Sequence, residues 1–270
     1  MKKNWTGERL ETFIYSRDTI EHLHRYAIAA TYTKDKVVLD VASGEGYGSN
    51  LLSKNASKVY GVDIDAQAVS LASEKYKKSN LEFKQGSAAL IPIESGSIDV
   101  VVSFETIEHH DKHDEMLSEI KRVLKPDGML IISTPDKLIY SDKRNFKNEF
   151  HVKELYKDEF VALISKYFSK SQLLFQNFIG NSSVLMEEQH QRDFKVYTGN
   201  YSNTELLEVD PFYLVLIASD YDFKKQNVSL FEGSSVENYG IVSQIYNSNS
   251  YKIGHFLLTP IRVFRKIFKN

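Results

Sequence analysis

Glu105, Glu108 and His109 stand close together in IDVVVSFETIEHH, residues 98–110, directly after an apolar run. If one helical turn starts there, they are i, i+3 and i+4 and share a face. Two carboxylates and an imidazole so placed suit Mg²⁺ or Mn²⁺, with positions left for substrate oxygens. Without a metal, Glu105 anchors the loop and a histidine is the natural base near neutral pH. A second cluster lies earlier, in VVLDVASGEGYGSNLLS, residues 37–53. An apolar run holding Asp40 meets Gly44, Gly46 and Gly48 and then a Leu51-Leu52 pattern, which reads as buried strand, tight turn and helix. Glycines let the backbone approach a ligand, and the helix start offers free N–H groups. Next comes VYGVDID, residues 59–65, a buried strand with Asp63 near its tip. An acid roughly 20 residues beyond a glycine turn is where a doubly wound sheet binds the hydroxyls of a ribose. The pair implies a cofactor that contains a nucleoside.

Spacing decides which cofactor. Dinucleotide-binding turns read G-x-G-x-x-G, whereas this chain has G-x-G-x-G with Asp40 ahead of it, favouring S-adenosylmethionine (SAM) over NAD. D-x-x-x-G-x-G-x-G followed by a strand ending in Asp resembles motif I and the acidic strand-two motif of class I SAM-dependent methyltransferases, over about residues 37–178. Gly86-Ser87, the 98–110 strand and loop, and the LKPDG turn at 124–128 stand in that family's order. The resemblance implies an α/β, Rossmann-like fold, a seven-stranded and mostly parallel sheet with helices on both faces. It also implies a cofactor site of Asp40, Ala42, Gly44, Gly46, Gly48, Asp63, Ile64 and Phe104. Ser87 and Ala88 stand at the adenine, where the family often has an acid. Arg25, in HLHRY, is either a partner for the methionine carboxylate of SAM or a structural, salt-bridging arginine.

E-x-x-E-H at this place resembles the metal site of ubiquinone-pathway O-methyltransferases and of small-RNA 2′-O-methyltransferases. In the RNA enzymes a later histidine completes the site, and here His151 in NEFHVKEL follows in the matching order. The implied metal set is Glu105, Glu108, His109 and His151. The implied catalytic set is His109 or His151 as base with Glu105, and His110 and His113 are weaker choices at a solvated helix start. The fuller pattern, TGER, HLHRY, DVASGEGYGS, SFETIEHH, LIISTPDK and EFHVKELYKDEF, looks like bacterial methyltransferases of surface-polysaccharide assembly. That resemblance implies methylation of a hydroxyl or phosphate-type oxygen on a carbohydrate or phosphorylated precursor. Competing readings are a small aromatic or quinone-like acceptor, an NAD-dependent dehydrogenase and a non-catalytic SAM-binding partner subunit. An aromatic-lined pocket would favour the first. The glycine spacing, and the placing of the Y-x-x-x-K pairs Tyr32/Lys36 and Tyr221/Lys225, count against the second.

These residues need a scaffold. Helices are expected over 17–32, 66–78 with Asp65 as cap, 111–124 and 155–167. Further strands are expected over 81–86, 98–104, 129–134, 172–178 and 211–217. Residues 136–150 read as a substrate loop, and 180–210 as an insert serving as a flap or a dimer contact. His22 and His24 read as surface or packing residues. The expected division is a methyltransferase domain over 1–220 and a C-terminal extension over 221–270. Within 257–269, Ile261, Phe264, Ile267 and Phe268 oppose Arg262, Arg265, Lys266 and Lys269 as a short basic amphipathic helix. It would pack on its own domain or on a second copy in a homodimer, or touch the inner membrane face.

Composition narrows the classes. A formal net charge of −2 gives no global basic field, so no nucleic-acid partner is expected. Absence of cysteine removes disulfides, thiolate nucleophiles and cysteine-held iron–sulfur clusters. With no secretory signal and no apolar run of spanning length, a cytoplasmic location is expected.

Overall fold

Runs such as VVLDV and IDVVVSF are apolar at successive positions, so both faces of those strands must be covered. The structure, a computed structural model, describes residues 9–253. Strands β1 (Val37–Val41), β2 (Lys58–Asp63), β3 (Leu81–Gln85), β4 (Ile98–Phe104) and β5 (Leu124–Pro135) are parallel, in the order β3-β2-β1-β4-β5. Beyond β5, β10 (Tyr213–Ser219) runs antiparallel and pairs on its far side with β6 (Lys170–Ile179). These are the seven expected strands. The order reverses between β1 and β4, which opens the crevice where such sheets bind ligands.

The sheet has nine strands rather than seven. Gly180, at φ +57°, turns the chain straight back from β6, so the segment expected as an insert begins as β7 (Ser182–Met186), antiparallel to β6. From the stretch expected as an extension, β11 (Ser229–Glu232) pairs with β7 at the sheet edge. Strands this short give no pattern long enough to read. The rest of the insert is a short helix, α6 (Glu188–Asp193), and an exposed hairpin, β8 (Val196–Asn200) with β9 (Asn203–Leu207). The expected LKPDG turn is absorbed into β5, where the register on β4 shifts between Ile98 and Val100.

One face of the sheet is covered by α4 (His113–Val123) and α5 (Lys157–Ser165), through residues such as Met116, Ile120, Phe160 and Ile164. The other carries α1 (Arg17–Ala30) and α2 (Tyr47–Leu52), through Tyr26, Ile28, Ala29 and Leu52. Helix α3 (Ala66–Lys75) packs on β2 and β3, with Asp65 Oδ1 accepting from Gln67 N at 2.8 Å as its cap. Ser16 and Thr19 close a capping box at the start of α1. After β11, α7 (Ser234–Asn247) lies near the N-terminal segment, with Tyr239 stacked on Tyr15. The basic stretch at 257–269 lies outside the described residues. Among the described residues no helix is long and apolar enough to cross a membrane.

His24 fastens α1 to the added strands. Its Nδ1 and Nε2 lie 3.0 Å from Ser183 Oγ on β7 and 3.0 Å from Ser229 Oγ on β11. Burial, reinforced by the nearby Arg25 charge, lowers its pKa from 6.5 to about 4. The folded ring stays neutral where the unfolded ring protonates, so the stability it contributes is complete above pH 6.5 and is lost as pH falls towards 4. The loss is about 3 kcal/mol at most. His24→Leu should be less stable at pH 7.5 yet lose less melting temperature than the parent between pH 7.5 and 4.5, as thermal melts at the two pH values will show.

Candidate active site

The turn after β1 is built by close packing. Gly46 sits at φ +85°, where a Cβ would lie 2.7 Å from Phe83. At Gly48 a Cβ would lie 1.9 Å from Tyr26 Cζ, so only glycine lets α2 approach α1. Asp40, 1% exposed, accepts from Ser49 Oγ at 2.6 Å and Tyr26 OH at 3.2 Å. Burial is the main reason its pKa rises to about 7. Asp40, Gly46 and Gly48 were expected to touch the cofactor, but none lines the cavity. They face inward because the turn's own packing uses them.

Asp63 and Gly44 do face a cavity of about 740 Å³ at the carboxyl ends of β1 and β4. Asp63 Oδ2 accepts from Gly44 N at 2.8 Å and Oδ1 from Asp65 N at 2.9 Å. Ala42, Ile64, Ser87, Ala88 and Phe104 line the same cavity. Ser87 Oγ accepts from Ala89 N, so its hydroxyl already closes its own turn. The N-terminal segment, unread as a site element, runs over this half. Arg9 reaches Asp63 at 3.2 Å and Asp65 at 2.6 Å, while Thr12 and Lys75 both bind Glu45. Leu10 and Ile14 line the cavity beside them. A cavity of this size with a carboxylate pair of oxygens at one wall fits a nucleoside cofactor.

Arg25 is not a wall residue. It is 1% exposed and donates to Glu105 Oε1 and Gln176 Oε1, both at 3.1 Å, with its guanidinium 4.8 Å from the Tyr213 ring centroid. The structural alternative therefore describes it, and a methionine carboxylate has no access to its place behind the cavity. Glu105 also accepts from Ser133 Oγ at 2.6 Å.

The expected helical face of 105, 108 and 109 does not form. Glu105 takes φ +50°, which breaks the turn, and the chain instead makes a single 3₁₀ turn over Ile107–His109. Glu105 points to Arg25, while Glu108 and His109 come together with His151. Their donor atoms lie within 4.8 Å of one another, so the four-residue metal set becomes three, without Glu105. The Glu108 carbonyl accepts from Val152 N and Lys153 N at 2.8 and 3.0 Å, which carries His151 to this place. Burial, with the Glu105 charge adding, pushes the Glu108 carboxyl well above the usual range, and its Oε1 has no hydrogen bond. His109 Nδ1 lies 3.1 Å from the Phe150 carbonyl. His113, expected in solvent, is 4% exposed, with its Nε2 against the His110 carbonyl.

His151 has a partner that spacing did not reveal. Its Nδ1 lies 2.5 Å from Glu154 Oε1, which fixes the proton on Nδ1 and leaves Nε2 as the acceptor, here within 3.0 Å of Asn148 Nδ2. Asp18, His22, Lys112 and Asn148 line the same cavity. Glu154 follows His151 by three residues, the one signal that could have found it. The hairpin of the 180–210 insert contributes no lining residue, whereas Asn148 and Phe150 of the 136–150 loop do.

The strand order, the glycine turn and the acid at the tip of β2 resemble those of class I SAM-dependent methyltransferases, and residues 39–132 match the family described as methyltransferase domain. The chain is 36% identical over 128 residues to a Mycolicibacterium smegmatis protein named "Probable S-adenosylmethionine-dependent methyltransferase", covering 47% of this chain and 49% of that one. It is 33% identical over 146 residues to a demethylmenaquinone methyltransferase of Lactococcus lactis, covering 52% and 55%. The chain thus spans about half the length of these curated relatives. The solved structure of the YcgJ protein from Bacillus subtilis shares the fold, with a TM-score of 0.52 at 19% identity, covering 74% of this chain and all of that one.

Asp63→Ala should weaken S-adenosylhomocysteine binding by about 2 kcal/mol, roughly thirtyfold in Kd, in a calorimetric titration. Gly48→Ala should lower the melting temperature, because Tyr26 cannot yield without releasing Asp40.

Proposed function

We propose that the chain transfers the methyl group of SAM to a hydroxyl or phosphate-type oxygen of a carbohydrate or phosphorylated carbohydrate precursor in surface-polysaccharide assembly. One observation carries this reading: His151, oriented by Glu154, shares one cavity with Asp63 and Gly44, and Asp18, Lys112 and Asn148 are among the residues that line it. Asp18, Lys112 and Asn148 there suit a polyhydroxylated or phosphorylated acceptor better than a flat apolar ring. The quinone-like alternative draws on the name of the Lactococcus lactis relative and on the apolar side chains Leu10, Ile14 and Phe150 in the same lining.

In the reaction, the acceptor oxygen attacks the sulfonium methyl in line, the O–CH₃ bond forms and the CH₃–S bond breaks, with its electron pair retained by sulfur. His151 Nε2 takes the hydroxyl proton, and the Glu154 carboxylate stabilises the imidazolium that results. Asn148 must yield its place at Nε2 to the acceptor. An already ionised phosphate-type oxygen needs no base, and His151 then binds it. Glu108, His109 and His151 also fit Mg²⁺ or Mn²⁺, since the buried Glu108 Oε1 lacks a donor and both rings present a second nitrogen to a protein oxygen. A bound cation would supply Lewis-acid activation of the acceptor oxygen.

The test is methyl transfer from labelled SAM to a panel of nucleotide sugars, phosphosugars, capsule fragments and quinols, with EDTA arms. Label in a sugar supports the reading, and label only in quinols overturns it. Loss of transfer in EDTA, restored by Mn²⁺ or Mg²⁺, assigns a metal to the three donors. With the accepted acceptor, Glu154→Gln should lower kcat about 10- to 100-fold and His151→Ala about 10²- to 10⁴-fold, both with SAM affinity held.

A further inference from the structure

We propose, resting on the methyl-transfer reading, that the acceptor is an amphiphile whose apolar chain lies in a second groove beside the active-site cavity. This groove, of about 300 Å³, runs between the N-terminal segment, α1 and α7. Leu10, Ile14, Leu23 and Val236 form its sides, and the stacked rings of Tyr15 and Tyr239 span it, with centroids 6.4 Å apart. Its exposed lining is almost wholly apolar.

Adjacency points to the occupant. Leu10, Ile14 and Tyr47 line both this groove and the main cavity, so the two spaces lie side by side on opposite sides of the same three residues. Tyr47 marks the junction, its hydroxyl 3.1 Å from His22 Nδ1 on the cavity side and its ring against the groove. Hydrogen-bonding side chains such as Asp18, Lys112 and Asn148 in the main cavity, beside a groove that is almost wholly apolar, match a ligand with a hydrogen-bonding head and an alkyl or polyprenyl chain. Protein interiors are close-packed, so an apolar space of this size that no described residue fills forfeits contacts that a chain would restore. Beyond the groove α7 leaves Ile241, Val242 and Ile245 about half exposed, which extends the apolar track along the chain's exit. The acceptor class is therefore a carbohydrate carried on a lipid chain rather than a free sugar.

The probes are hexyl, octyl and decyl β-glucosides below their micelle concentrations, titrated calorimetrically into the full chain saturated with S-adenosylhomocysteine. Affinity should rise about tenfold for each two methylenes added. Val236→Asp should compress the hexyl-to-decyl difference to under threefold, Tyr239→Leu should preserve it, and unchanged S-adenosylhomocysteine affinity in each variant reports an intact fold. A flat series in the parent chain overturns the proposal, as does a series that Val236→Asp leaves untouched. A dimer in sedimentation that Val236→Asp breaks, and that decyl glucoside does not dissociate, also overturns it and gives the groove to a second copy. If the chain-length series holds but S-adenosylhomocysteine does not bind, the groove stands as an apolar-chain site and the methyl-transfer reading fails.

Discussion

The buried pairing of Arg25 with Glu105 is the contact on which the geometry of the cavity depends. It ties α1, on one face of the sheet, to the exit of β4 at the sheet's crest. Removing either partner would leave a charge buried and uncompensated, at a cost of about 3–5 kcal/mol. Such a pair adds little net stability over an apolar packing of the same shape, and its value lies in allowing one arrangement only. With Glu105 held by Arg25 and Ser133, the backbone must take its left-handed conformation there, and the next residues turn Glu108 and His109 towards the crevice. The Glu108 carbonyl then draws in the segment that bears His151. An electrostatic contact behind the site thus determines which groups stand in front of it.

Two acids near the glycine turn divide the work between them. Asp40 is enclosed by Tyr26 and Ser49 and shapes the turn from behind, and Asp63 faces the cavity and holds the turn's rim through Gly44. The two carboxylates repel each other, which adds to the rise that burial imposes on Asp40. A carboxyl that gives up its charge near neutrality leaves Asp63 to accept from Gly44 N and Asp65 N without a second full charge behind it.

Much of this was legible in the chain. Seven strands follow from apolar runs separated by turn residues, since a strand covered on both faces is apolar at successive positions. The place of Gly44 and Asp63 at the cavity was readable from the glycine turn and the acid at the tip of the next strand, whose spacing puts both at the carboxyl ends of neighbouring strands. The failures have physical causes. At 105 a periodic pattern was extended through a residue whose conformation is set by Arg25, 80 positions away, and no local rule reports that. Gly48 was read by the loop it belongs to, although the ring of Tyr26 is what requires it. Strands β7 and β11 are too short for a pattern, and β11 finds its partner across 40 or more residues of chain. Glu154 escaped because a carboxylate three residues after a histidine is ordinary on any exposed helix and gains meaning only when both are buried.

The N-terminal segment carries a consequence for time rather than for affinity. Residues 9–14 lie over the nucleoside half of the cavity, fastened by Arg9 to Asp63 and Asp65 and by Thr12 and Lys75 to Glu45. On the methyl-transfer reading, spent cofactor leaving that half would wait for these contacts to open, so a short length of main chain would meter the interval between turnovers. Because the fastenings are partly exposed charges, dissolved salt loosens them, and cofactor exchange would then be faster in a saline medium than in a dilute one.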